Sequence, residues 1–323
     1  MSLSYGRTTM SEAPVGPGDV EAAAARIASY VRATPTMVLR AGELPGLPCE
    51  VVLKLEMLQH TGSFKARGAF NRLLTADVPP AGLIAASGGN HGAAIAYAAA
   101  ALGHRVEVFV PDSSPPMKAA RIRALGAEVV LGGAIFDEAY AAALDRMAET
   151  GALMIHPYDH AATVAGAGTC ARELEQQAGP FDTVLTATGG GGLTGGTASW
   201  FAGRVRVVSV EPATSCCLFG ALAAGRPVPV PVEGLAIDSL GARQVGQVPF
   251  ACATAYGVAA VTVTDDAIRT AQRLLWDHLR LVVEPGGATA LAALLSGAYV
   301  PTAGERVGVV VCGANCDPAT VVG

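Results

Sequence analysis

From about residue 50 onward, short β-branched apolar runs alternate with longer alanine-rich stretches of helical period. VVLKL is followed by FKARGAFNRLL, LIAAS by GGNHGAAIAYAAAALG, VEVFV by PPMKAARIRALG, and EVVLGG by FDEAYAAALDRMAET. Beyond ALMIHPYD the pattern resumes with FDTVLTATGGGG, VRVVSVEP, AAVTVTDDAIRTAQRLLW and ERVGVVVCGAN. Such alternation predicts βαβ units and parallel sheets, an α/β fold. The strand-like runs are apolar at nearly every position, which predicts strands covered by helices on both faces. The Pro-rich RPVPVPVEG, residues 226–234, predicts an irregular connection.

Composition narrows the picture. A chain of 323 residues predicts one large or two moderate domains. Aromatics are 5% of residues and charged side chains 15%, which suits layered Ala, Val, Leu and Gly packing better than an aromatic recognition surface. The net charge of −5, without a basic cluster, argues against nucleic acid and polybasic membrane contacts and for a small-molecule partner. The apolar stretch GAAIAYAAAALG, residues 92–103, is too short to span a bilayer. MSLSYGRTTMSEAPVGPGD has no basic start or apolar core of a signal peptide, so residues 1–19 are expected to be a disordered or vector-derived tail and the protein cytoplasmic. Seven cysteines without C-x-x-C spacing argue against a disulfide framework and a structural zinc.

Ligands of parallel sheets sit at the carboxyl ends of the strands, so the turns there carry the chemistry. TGGGG, Thr188 to Gly192, lies between an apolar strand and a helix start. Its glycines let backbone N–H groups converge, and the helix end adds positive potential, which points to a phosphate cradle over a merely flexible loop. SGGNHG, Ser87 to Gly92, offers a hydroxyl, an amide and backbone donors at a helix N-terminus, as a carboxylate or phenolic oxygen requires. Taken alone, Lys65 in GSFKARGA would be an ordinary surface lysine. A helix start and an apolar turn both favour its neutral amine, the form Schiff-base chemistry uses. Together the three stretches describe an aldehyde cofactor with a phosphate handle.

KLEMLQHTGSFKARGAFNRL, AASGGNHGAAIAYAA, TGGGGLTGG and VVVCGAN resemble, in order and spacing, the motif set of the serine/threonine dehydratases. The resemblance runs from about residue 20 to the end and also covers TPTMVLRAGEL, HPYDHAATVAGAGT and VEPGGATALAALL. It implies a fold type II pyridoxal phosphate enzyme, tryptophan synthase beta-like, with a large domain of residues 20–72 plus 155–323 and a small mobile domain of 73–154. It implies that Lys65 holds pyridoxal phosphate as a Schiff base, with Phe64 under the ring and Asn90 on its 3-hydroxyl. Gly189, Gly190, Gly191, Gly192 and Leu193 would bind the phosphate, and Cys312 would face the pyridine nitrogen. Ser87, Gly88, Asn90 and His91 would line the site of the substrate carboxylate. The implied reaction is β-elimination of L-threonine or L-serine to a 2-oxo acid and ammonia by a homodimer, with Lys65 taking the α-proton.

The sequence also departs from that family. Gly88 stands where serine racemases carry a proton-donating serine, which argues against racemisation. Glu211 matches a carboxylate that binds a divalent cation in some members, but Cys217 stands where the accompanying Asp is expected, which argues against the cation. No stretch after VVVCGANCD could form an amino-acid-binding regulatory domain, so a short form without isoleucine feedback is expected. Ala167 and Met57 replace a common Gln and Asn without a functional account. His156, His160 and His278 are expected to be structural, Asp265 and Asp266 to be helix N-terminal charges, and Glu284 and Gly286 to line the cofactor pocket. The rival readings are a 3-hydroxyaspartate ammonia-lyase, a hydroxyectoine-pathway dehydratase or a serine racemase on the same scaffold, and a non-catalytic ligand sensor.

Overall fold

The computed structural model describes residues 14–112, 114 and 116–322. Among these residues ten strands run as β1 (Thr36–Leu39), β2 (Val51–Leu55), β3 (Leu83–Ala86), β4 (Val106–Val110), β5 (Glu128–Leu131), β6 (Leu153–Met154), β7 (Thr183–Ala187), β8 (Arg206–Pro212), β9 (Ala259–Val263) and β10 (Val307–Val311). The first helices are α1 (Pro17–Ile27), α2 (Lys65–Leu74), α3 (Asn90–Ala101), α4 (Pro116–Ala124), α5 (Phe136–Thr150) and α6 (Ala161–Ala178). They are followed by α7 (Gly192–Phe201), α8 (Cys217–Ala224), α9 (Ile237–Leu240), α10 (Gln247–Ala255), α11 (Asp265–Leu279), α12 (Pro285–Ser296) and α13 (Ala319–Val322).

Two sheets result. Six strands lie in the order β1-β2-β10-β7-β8-β9, parallel except for antiparallel β1. Four lie in the order β5-β4-β3-β6, all parallel. The expected α/β class holds, and β2, β4, β7 and β10 are buried at every position, as strands covered on both faces must be. Residues 226–234 carry no regular structure, as expected.

Each sheet has its own apolar core. The larger joins Val52, Leu53, Val184, Val309 and Val311 to Leu291 and Leu294 of α12. The second gathers Leu83, Ala85, Val106 and Val108 with Ile95, and reaches Phe70 and Leu73 of α2. The alternate face of the small sheet, Ile84, Ala86 and Phe109, packs on Ala143 of α5. Thus α2, which opens with Lys65, is anchored in the small sheet's core at its far end.

One expectation changes. Residues 1–13 of the expected tail lie outside the described residues, but Pro17, Gly18 and Asp19 open α1, with Pro17 at the first position and Asp19 accepting the N–H of Gly16. On α11, Asp265 and Asp266 occupy the first turn as the expected N-terminal charges, after the N-cap Thr264, and Asp265 also accepts the N–H of Leu235 at 2.9 Å.

Candidate active site

The predicted turns converge at the carboxyl ends of the strands. Ser87 follows β3, Thr188 follows β7 and Cys312 follows β10, while β2 leads through two 3-10 turns to Lys65. Gly62 to Phe64 are stitched to the turn after β10: Phe64 N–H donates to Cys312 O at 3.1 Å, Ala314 N–H donates to Gly62 O at 3.0 Å, and Ser63 bridges Gly313.

Lys65 is half-buried; its Nζ lies 3.3 Å from Pro157 O and 5.1 Å from the Phe64 ring centroid. Burial lowers its amine to about 8, against the opposing pull of Cys312 and Glu284. A cavity behind it is lined by Phe64, His91, His156, Pro157, Thr163 and Gly192.

Gly191 has φ +92° and forms the N-cap of α7. A Cβ on Gly190 would lie 2.1 Å from the Tyr158 ring, and one on Gly191 2.8 Å from Pro249. Only glycine backbone fits this turn, which leaves main-chain donors at the N-terminus of α7. Beneath it the hydroxyls of Thr188, Thr194 and Thr186 form a chain, extended by Ser209, whose Oγ donates to Thr188 at 2.7 Å. Leu193 is buried within α7.

In the second loop Ser87 Oγ accepts the N–H of Gly89 at 3.2 Å, and Asn90 to Gly92 open α3, where N–H groups lack intrahelical acceptors. Asn90 donates to Glu284 Oε1 at 2.7 Å and accepts from Asn315. His91 is buried, and its Nε2 donates to Ile155 O at 3.0 Å, which fixes the neutral ring. Burial, with Lys65 adding to it, holds the His91 ring down at about 3. What His91 offers a ligand at the loop is therefore its main-chain N–H.

Glu284, at the N-cap of α12, is pushed up to about 7 by burial, against the hydrogen bonds of Asn90 and the Asn315 N–H. Buried Cys312 donates to Gly286 O at 3.4 Å, and burial, reinforced by Glu284, raises its thiol well above the ordinary range. Glu284 and Gly286 thus stand beside Cys312. A second cavity is bounded by Gly88, Asn90, Lys118, Arg121, Glu284 and Asn315.

Glu211 lies in β8, where Ser209 Oγ stands 3.4 Å from its Oε2 and donates to Thr188 of the glycine turn. Its two oxygens accept the N–H groups of Leu218 and Phe219 at 2.8 and 2.7 Å, so the carboxylate caps α8. Burial raises it to about 7, against those two hydrogen bonds. Cys217 donates to Gly189 O at 3.1 Å. Among the described residues no group of three His, Cys, Asp or Glu side chains is placed to hold a metal. His160 caps α6, and His156 Nδ1 accepts the Asp159 N–H at 2.8 Å, the structural parts expected of both.

Sequence reading missed a buried ion network. Arg67 donates to both oxygens of Glu56 at 2.7 Å and to those of Glu173 at 3.0 and 3.1 Å, and Lys54 pairs with Glu173 at 2.5 Å. Burial works against the Arg67 charge; Glu56 and Glu173 overcome it and raise its pKa above the ordinary value. The available signal was Lys54 and Glu56 at the end of an otherwise apolar strand, where charge can enter only with a partner.

The site therefore fits pyridoxal phosphate on its own geometry: a turn that admits only glycine at a helix N-terminus, an amine held near neutrality, and a buried neutral thiol. The chain is similar to phenylserine dehydratase of Ralstonia pickettii, 38% identical over 305 residues and 92% of each chain. It is also 38% identical to the biosynthetic L-threonine dehydratase of Mycobacterium leprae (strain TN), over 94% of this chain and 73% of that one. The crystal structure of a threonine deaminase from T.th. superposes with a TM-score of 0.86 at 37% identity, covering 94% of this chain and 99% of that one. Maize serine racemase gives 0.89 at 29% identity, over 95% of each chain. With the pyridoxal-phosphate dependent enzyme family matched over residues 27–313, the chain belongs to that family of enzymes, and its cofactor is pyridoxal 5'-phosphate.

Proposed function

We propose that this protein dehydrates L-threonine or L-serine by β-elimination, releasing a 2-oxo acid and ammonia, with Lys65 as cofactor-linking amine and α-proton base. The observation that carries the reading is Lys65 itself, a half-buried amine lowered to about 8 where the two glycine turns meet. Relatives named for threonine and phenylserine dehydration support the reaction class.

Pyridoxal phosphate, when bound, supplies an electron sink for charge developing at the substrate α-carbon. The main-chain donors of Gly189 to Leu193 would hold its phosphate, Phe64 would lie against its ring, Asn90 would meet the 3-hydroxyl, and Cys312 the ring nitrogen. Cys312 keeps its proton at neutral pH, so it is a weak, neutral partner that leaves the sink shallow. That suits elimination, in which charge departs with the β-substituent. Ser87, Asn90 and the first-turn N–H groups of α3 would orient the substrate carboxylate and present the α-hydrogen to Lys65 Nζ. At pH 7 roughly a tenth of an amine with a pKa near 8 is neutral and able to take that proton.

A Cβ on Gly88 would lie 3.0 Å from Ser114 Oγ and 3.2 Å from Val110 Cγ1, so Gly88 itself supplies no acid and its position has little room for a side chain. This favours elimination over racemisation. We further propose that residues 73–154 move as a small body against 20–72 plus 155–323, and that the protein is a cytoplasmic homodimer. No helix among the described residues is long and apolar enough to cross a membrane. The test is 2-oxo acid release from L-threonine, L-serine, D-serine and threo-3-hydroxyaspartate. Release led by either L-hydroxy amino acid is expected; release led by the dicarboxylate would transfer the protein to the hydroxyaspartate lyases.

A further inference from the structure

Thr61 is β-branched, yet it sits at φ +61°, ψ 12°, a conformation disfavoured for such side chains. Its Oγ1 is buried without a hydrogen-bond partner, so the side chain gains nothing visible from the strain. The peptide is held instead by its carbonyl, which accepts from Arg121 Nη2 at 3.0 Å and from Asn315 Nδ2 at 2.8 Å. Gly62, Ser63 and Phe64 then lead directly to Lys65.

Arg121 reaches this turn from the other sheet. It lies on α4, which packs against α3 and β5, whereas Thr61 and Asn315 follow β2 and β10 of the six-stranded sheet. Its guanidinium also donates through Nη1 to Asn315 Oδ1, and Asn315 in turn donates to Asn90 Oδ1. Among the described residues no carboxylate pairs with Arg121 within 4 Å; its hydrogen-bond acceptors are a carbonyl and an amide. A surface arginine held by two neutral acceptors across a cavity acts by position, because a planar fork fixes both acceptors at once. Lys118, one turn earlier on α4, crosses the same cavity to Asp238 at 2.8 Å.

We propose that Arg121 is a positioning residue that couples the approach of the small sheet to the alignment of Lys65, by holding the strained Thr61 peptide and the Asn315–Asn90 amide pair. When α4 is close, the turn before Lys65 is locked. When α4 withdraws, Thr61 loses a carbonyl donor and relaxes, and the amine drifts from the α-hydrogen. The inference rests on the dehydratase reading for its catalytic consequence but not for its structural one.

The test uses the cofactor-loaded protein and reads kcat and KM for L-threonine together with hydrogen exchange of residues 60–66. Arg121→Ala is expected to lower kcat about tenfold or more with KM within about threefold, a misalignment effect. Exchange in residues 60–66 should rise severalfold while that of α12 stays unchanged. Thr61→Asn, which tolerates the left-handed region, should return much of the lost kcat in the Arg121→Ala background. Arg121→Lys, unable to bridge both acceptors, should fall between, and it carries the test if the alanine variant folds poorly. Unchanged exchange in residues 60–66 overturns the proposal, as does a rise in KM alone, which would make Arg121 a direct carboxylate ligand. If the unsubstituted protein turns over no hydroxy amino acid, the dehydratase reading fails, and exchange at residues 60–66 alone still decides the role of Arg121.

Discussion

Replacing Arg67 by methionine should be among the most damaging single changes outside the cofactor turns. The side chain is buried, and the change removes its hydrogen bonds to both oxygens of Glu56 and both of Glu173. Lys54 and Arg67 balance Glu56 and Glu173 in the native network; without Arg67 one carboxylate charge is uncompensated. Glu173 keeps Lys54 and the Thr34 N–H, whereas Glu56 keeps only the Thr34 hydroxyl, so the penalty falls on Glu56. Leaving a buried charge without its partner costs about 3–5 kcal/mol. For a chain of this size that corresponds to a drop of roughly 4–7 °C in melting temperature. Because Arg67 is two residues from Lys65 on α2, kcat should fall as well. The assay is thermal unfolding of Arg67→Met, Glu56→Gln and the double variant; the double should recover most of the loss, since neither charge is then stranded. A single variant within about 1 kcal/mol of the parent would refute the claim that this network anchors α2.

Gly190→Ala should weaken cofactor affinity at least tenfold in an absorbance titration, because its Cβ would strike the Tyr158 ring at 2.1 Å; Gly18→Ala, with open space around it, should change nothing. In cofactor-free protein, acylation of Lys65 followed by mass spectrometry should be half-maximal near pH 8, well below the ordinary lysine range; half-maximal labelling near pH 10 would contradict the burial of its charge. Glu284, raised from 4.5 to about 7, keeps a proton that the unfolded chain releases, so its contribution is full below pH 4.5 and is lost as pH rises to about 7. Glu284→Gln should therefore gain stability relative to the parent between pH 5 and pH 8 in denaturant unfolding, and a loss over that interval would reverse the assigned direction.

Much of this was legible in the residues. Apolar runs such as VVLKL, VEVFV and VGVVV announce buried parallel strands because burial on both faces leaves no polar alternation. The glycine turns were legible for a related reason, since consecutive glycines between strand and helix have few physical explanations other than close backbone approach. Less visible was everything that depends on which distant segments meet. Nothing in KLEMLQ states that Glu56 will face Arg67, or that Arg121 will reach across to Thr61, because those pairings are set by tertiary packing. His91 stands in the expected loop, yet its ring turns to the Ile155 carbonyl, as helix phase dictates and composition does not. The unusual backbone of Thr61 was likewise invisible, since threonine is a poor predictor of positive φ.

The central claim, that Lys65 carries an elimination of hydroxy amino acids, is tested most directly by 2-oxo acid release from L-threonine by the cofactor-loaded protein beside its Lys65→Ala variant. The account predicts steady release by the parent and loss of at least a thousandfold in the variant, as expected when a general base and covalent link are removed together. Equal release by both proteins, or none by the parent with cofactor bound, would contradict it.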